Sequence, residues 1–299
     1  MSEQLDKIIQ SSDYIRNKFP KKFKPEIALI MESGIGVPDG FKIIFEMEFE
    51  TAGQIPGSTM QLRKGQEMHV EMPEYIFGPK KEKLKIQFAK VKEADVLIYK
   101  GRQHFYDGTA MRDIGHAIYV LKYLGIKKII SIDEVAHLNP RFNCGDLALV
   151  YDHINLIGDN PLIGKNENEL GLRFPDMSNA YDRNLYQKVY EVFQENKFRI
   201  NDSVLLGITG PQSETDAEAR FYREIGADIV GYSMVPENIT AVHSGMEFIG
   251  IGLITRELIA DKMTEDERTE KQKSKDQKEC LKKAEKKLGK ILEEIIKKI

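Results

Sequence analysis

Gly101-Arg102-Gln103-His104-Phe105-Tyr106 sets an arginine, a histidine and a tyrosine at alternate positions, directly after an apolar run. In extended backbone alternate side chains share a face, so these three point the same way. A guanidinium offers a planar fork to the oxygens of an anion such as phosphate. An imidazole beside it can hydrogen-bond the same anion or shuttle its proton. Ser33-Gly34-Ile35-Gly36 is a second candidate of the same kind. Its glycines let backbone approach an anion closely, and the serine hydroxyl and nearby amides can donate to it. The plainer reading of Ser33 to Gly36 is a tight turn whose glycines serve geometry.

Three further groups stand between apolar runs and whatever follows them. Glu214, in Gly210-Pro211-Gln212-Ser213-Glu214-Thr215, is either a charge favoured by the dipole of the next helix or an acceptor for an N–H-rich ligand. Tyr232 and Ser233, in Gly231 to Pro236, offer an apolar wall and a hydroxyl donor, or a plain strand-to-loop turn. Asp133 and Glu134 are adjacent carboxylates at the end of a strand, but no third ligand stands at metal spacing, so no metal site is expected.

Strands and helices must place these residues. A short apolar run over 26–31 reads as a buried strand feeding the turn at Ser33, and 94–99 as another feeding Arg102. Residues 41–98 read as β-rich throughout. Met111, Ile114, Ile118, Leu121 and Leu124 recur at helical steps, with Gly125 as a stop and a strand over 127–132 beyond it. Residues 139–180, dense in Asn, Pro, Gly and Asp, read as a long loop region. Helices are expected over 3–18, 182–196 and 215–225, and strands over 204–209, 229–231 and 248–254. A charged segment spans 261–275. From Lys273 onward, Leu281, Leu288, Ile291, Leu292, Ile295 and Ile296 mark one face of a long helix. The order strand, helix, strand predicts an α/β fold: one domain over 1–299, with a central mixed sheet flanked by helices. Residues 1–25 form its lead-in, 26–260 its core and 261–299 its charged segment and last helix.

The chain has 299 residues, 44 basic and 47 acidic, giving a formal charge of −3. That balance argues against nucleic acid or an anionic membrane as partner. Cys144 and Cys280 are the only cysteines, and neither a basic, apolar leader nor a membrane-length apolar run is present. A cytoplasmic protein is expected.

The joint order of these segments resembles the purine nucleoside phosphorylases of the trimeric class. The resemblance rests on Ser33 to Gly36, Gly101 to Gly108, Leu138 to Phe142, Gly145 to Leu147, Asp152 to Leu156, Arg173 to Arg183, Gly210 to Thr215, Gly226 to Glu237 and Leu253 to Thr255. It implies phosphate as co-substrate, no further cofactor, purine nucleosides as partners, and a homotrimer. It implies that Ser33, Arg102, His104, Ser233 and the backbone amide of Glu134 hold phosphate. Tyr106 and Tyr232 would meet the ribose, and Glu214 would accept from purine N1–H, favouring 6-oxopurines. His104, Glu214 and Arg256 would be the residues closest to the chemistry.

The chain also departs from that pattern. Arg256 stands where the family has asparagine, Asp133-Glu134 where it has a small, glycine-rich run, Ser213 where an aromatic is usual, and Glu32 where a small residue precedes the serine. No histidine occurs over 257–299 to meet the ribose 5′-hydroxyl. Arg256 either stabilises a leaving purine anion or pairs with Glu214 and fills the base site. The departures leave two other readings: a phosphorylase with altered base or 5′-ribose specificity, and a non-catalytic relative.

Overall fold

The computed structural model describes residues 2–50, 58–62, 66–70, 83–258 and 268–299, with backbone alone at 49–50, 58–62, 66–70 and 83. Along the chain run α1 (Glu3–Arg16), β1 (Ile27–Met31), β2 (Lys42–Glu50), β3 (Ser58–Leu62), β4 (Gln66–Val70), β5 (Lys83–Val91) and β6 (Ala94–Lys100). They continue with α2 (Met111–Tyr123), β7 (Lys128–His137), β8 (Leu147–Asn155), α3 (Arg183–Glu195), β9 (Asn201–Gly207) and α4 (Asp216–Glu224). The last are β10 (Ile229–Gly231), α5 (Met234–His243), β11 (Glu247–Glu257) and α6 (Glu270–Lys298).

Nine strands form one mixed sheet in the order β10-β9-β8-β11-β7-β1-β6-β5-β2. β7 runs parallel to β1 only as far as Ile132, opposite Met31. Its last residues pair with β10 instead, His137 with Ile229 and Ala136 with Val230. The sheet therefore closes on itself at that end. β1, buried at every position, shows how the layers form. Ala28 and Ile30 pack on the side of α1, α2 and α5, while Ile27, Leu29 and Met31 pack on the side of α3 and α6. Each large apolar side chain so buried stabilises the fold by about 1.5–3 kcal/mol.

Expected helices α1, α2, α3 and α4 form close to their expected limits. Four features differ. β7 does not end at Asp133 but continues through His137, because its far half gains β10 as a partner. The region 139–180 contains β8, whose Leu147, Ala148, Leu149 and Val150 are buried between β9 and β11. Ser233 is followed by α5 rather than by a loop. α6 begins at Glu270, capped by a reciprocal Thr269–Gln272 pair, so the charged segment is helical from there on. Residues 261–267 of that segment lie outside the described residues.

Candidate active site

The C-terminal ends of β1, β6 and β10, together with β7, bring the first group together. Arg102 follows β6 and is 2 % exposed. Its Nε donates to Glu237 Oε1 at 2.7 Å, Nη2 to Ser131 Oγ at 2.8 Å and Nη1 to the Ile132 carbonyl at 2.8 Å. Ser131 Oγ also donates to Glu237 Oε2 at 2.6 Å, so Glu237 and Ser131 together fix the guanidinium plane. Nη1 further meets Glu32 Oε1 at 3.3 Å and Asp133 Oδ1 at 3.5 Å. One guanidinium thus faces the carboxyls of Glu32, Asp133 and Glu237.

His104 continues the group. Its Nδ1 lies 3.1 Å from Ser233 Oγ, and its Nε2 3.5 Å from Glu32 Oε1. Ser233 stands at the N-terminus of α5 without a side-chain capping bond, and the first backbone N–H groups of a helix favour an anion. Ser33 is exposed on the turn directly after Glu32. The amide of Gly36 in that turn is already taken, donating to Glu285 Oε1 of α6 at 2.7 Å.

These surroundings move the titrations. Burial pulls the Arg102 guanidinium down, but Glu237, Asp133 and Glu32 more than offset this, and the group stays charged. Burial pushes the Asp133 carboxyl up to about 7, with Glu32 and Glu237 adding to the shift and Arg102 opposing it. Burial works the same way on Glu32, yet His104 and Arg102 hold its carboxyl below the usual value. Neighbouring side chains alternate along a strand, and Glu134 accordingly faces away from Asp133: its Oε2 accepts from Gln277 of α6 at 3.4 Å. Burial raises its carboxyl as well.

The second group sits beside the first. The ring of Tyr106 stacks on His104 (centroids 4.5 Å apart, planes 11° apart) and meets the edge of Tyr232 at 5.9 Å. Tyr232 donates from its hydroxyl to Glu214 Oε1 at 3.2 Å and accepts from Arg256 Nη2 at 3.1 Å. Arg256 Nη1 lies 3.6 Å from Glu214 Oε2, so the arginine does pair with the glutamate. Oε2 is nevertheless buried without a hydrogen-bond donor. Glu214 is held in place by its neighbour: Thr215 caps α4 through Glu218, a reciprocal cap. Gly210 has φ +67°, and a Cβ there would meet the Tyr232 ring at 3.0 Å, so a side chain would be strained on both counts. A register shift between Ile254 and Arg256 re-aims the end of β11.

The structure thus brings Arg102, His104 and Ser233 into one contact chain and links it through Tyr106 to Tyr232, Glu214 and Arg256. It does not bring the Glu134 side chain to Arg102. Sequence reasoning passed over Glu237 and Ser131. Glu237 closes the segment Gly226 to Glu237 that carries the resemblance but was given no role, and the available signal was an acid in the first turn of the helix that follows Ser233. A cavity of about 590 Å³ lies elsewhere, between Tyr119, Leu170 and His243, and contains none of these residues. Among the described residues no cluster of three or more metal-ligating side chains comes together.

Comparison with known proteins places this geometry. Residues 61–297 match the model of the Phosphorylase superfamily. The chain is 35 % identical over 251 residues to purine nucleoside phosphorylase 1 of Bacillus subtilis, covering 84 % of this chain and 85 % of that one. It is 31 % identical to the mouse purine nucleoside phosphorylase, over 80 % of this chain and 78 % of the other. A solved Schistosoma purine nucleoside phosphorylase in complex with hypoxanthine superposes with a TM-score of 0.81 at 26 % identity, over 98 % of this chain and 97 % of that one. A further purine nucleoside phosphorylase, solved with ribose-1-phosphate, superposes at 0.77 with 26 % identity, over 99 % of this chain and 97 % of that one. The chain belongs to the phosphorylase superfamily and, within it, to the purine nucleoside phosphorylases.

Proposed function

We propose that this chain cleaves purine nucleosides with phosphate, releasing free base and ribose 1-phosphate. A phosphate oxygen attacks the anomeric carbon as the bond to the purine nitrogen breaks, and the electron pair leaves with the base. The work of the protein is to position and to stabilise charge, not to form a covalent intermediate. Arg102, His104, Ser33 and Ser233, with the Glu134 amide, are assigned to phosphate, and Tyr106 and Tyr232 to ribose. The observation that carries the reading is Glu214 Oε2: a buried carboxylate oxygen that faces Arg256 at 3.6 Å but accepts no hydrogen bond, beside a tyrosine and one step from the Arg102–His104 group. An N1–H of a 6-oxopurine supplies the donor that this oxygen lacks. Arg256, which meets both Glu214 and Tyr232, supports a second reading in which the base selected is different.

Inosine, guanosine and adenosine, each incubated with and without phosphate while free base and ribose 1-phosphate are followed, test the proposal. Phosphate-dependent release from at least one supports it, and none from any overturns it. A homotrimer is part of the same reading. Ile163, Leu172 and Phe174 are 64 %, 76 % and 85 % exposed between β8 and α3, and packing against copies of the chain covers them. The free cysteines Cys144 and Cys280 fit a reducing, cytoplasmic setting. No described helix is long and apolar enough to cross a membrane.

A further inference from the structure

The atom Glu32 Oε1 lies 3.3 Å from Arg102 Nη1 and 3.5 Å from His104 Nε2. A carboxylate oxygen therefore sits between the two side chains assigned above to the anion, where a phosphate oxygen would sit. We propose that Glu32 and Asp133 are built-in competitors of phosphate, so that phosphate reaches Arg102 only when both carboxyls release it. This rests on the reading of Arg102 and His104 as the phosphate grip.

The count of donors supports it. A guanidinium has five N–H groups and no acceptor. Glu237, Ser131 and the Ile132 carbonyl take the short bonds from Nε, Nη2 and Nη1. What remains on Nη1 points to Glu32 and Asp133. Phosphate thus gains Arg102 only by replacing these two, and while they are ionised it meets two like charges at close range.

The two carboxyls let go by different routes. The Glu32 side chain is 17 % exposed and stands on a turn, where it can swing outward. Asp133 is 4 % exposed and fixed within β7, so it must instead be neutral. Charged groups face it from three sides: Arg102 and His104 after β6, Glu32 after β1, and Glu237 from α5. On the neighbouring strands Gly252 of β11 pairs with it and Gly231 of β10 lies near it, and neither brings charge. Burial raises its carboxyl to about 7. Below that pH Asp133 is neutral and leaves Arg102 free for an anion. Above it the negative charge returns and phosphate is turned away.

Calorimetric titration of the whole chain with inorganic phosphate, in the absence of nucleoside, tests this directly. Glu32→Gly is expected to bind phosphate about tenfold more tightly than wild type, with Glu32→Gln as the second variant should the first fold poorly. Asp133→Asn is expected to flatten the loss of affinity that the wild type shows from about pH 6 to about pH 8. In turnover the KM for phosphate falls in both variants, with little change in the KM for nucleoside. Phosphate binding that is no tighter in the Glu32 variant that folds overturns the proposal. So does a pH profile that is the same in wild type and Asp133→Asn. A chain that binds phosphate as expected but releases no base defeats the phosphorolysis reading alone.

Discussion

The anion side and the base side of the site hold the same ingredients, arginine and carboxylate, in opposite proportions. On the anion side one fully buried arginine is shared among Glu32, Asp133 and Glu237, and its short hydrogen bonds go to the protein itself. On the base side one arginine meets one glutamate, and the carboxylate oxygen that faces it, 3.6 Å away, accepts no hydrogen bond. The first is an over-supplied cation, and the second an under-supplied anion. Burial decides how much each imbalance matters, since charges in the interior are screened far less than the 27 % exposed Arg256.

Removing the shared cation gives the largest effect. Arg102→Ala leaves two buried carboxyls, Asp133 and Glu237, without their cation and is expected to cost about 3–5 kcal/mol in urea unfolding. A variant as stable as wild type breaks the comparison at its root. Next comes Glu214→Gln, which turns one acceptor oxygen into a donor. It is expected to lower kcat/KM for inosine and guanosine roughly a hundredfold, and less for adenosine. An equal loss on all three removes N1–H reading from the account.

A smaller effect concerns Asp133 and folding. Its carboxyl is raised in the folded state, from an ordinary 3.8 to about 7. Its contribution to stability is therefore fully present below about pH 4 and lost as pH rises to about 7. Asp133→Asn should remove that part of the slope and melt a few degrees higher than wild type at about pH 8, though not at about pH 4. The same gap at both pH values would mean that packing, not charge, sets the difference. The smallest effect is at Arg256, where a half-screened pair is worth about 1 kcal/mol. Arg256→Asn is expected to change the inosine-to-adenosine preference roughly fivefold, which sharpens the base-side half of the comparison.

Much of the frame was legible in the sequence because period and punctuation agreed there. The five apolar residues of β1 and the helical steps of α2 each named their element. β8 was lost among turn-forming residues: its first half is apolar but its second is Tyr151-Asp152-His153-Ile154-Asn155, which shows no clear alternation. α5 was lost for the opposite reason. Nine of its ten residues are buried, so it has no polar face to give a helical period, and Pro236 reads as a breaker. In fact that proline stands in the first turn, where its missing N–H has no helical partner to lose. Arg102, His104, Glu214 and Ser233 were visible as strand-end residues. That Arg102 would spend its donors on Ser131 and Glu237 was not, because the three residues lie on separate elements and only the closed sheet brings them together.

The bond from the Gly36 amide to Glu285 joins residues 249 positions apart in the chain. The turn that carries Ser33 is therefore held by a helix synthesised long after it. During translation that turn waits, unfastened, until α6 arrives and packs Leu288, Ile291 and Leu292 onto the sheet. Such wide-span contacts slow folding, because the intervening loop must be closed before any of them rewards it. In the order of assembly the Ser33 turn is among the first segments made and among the last to be fastened.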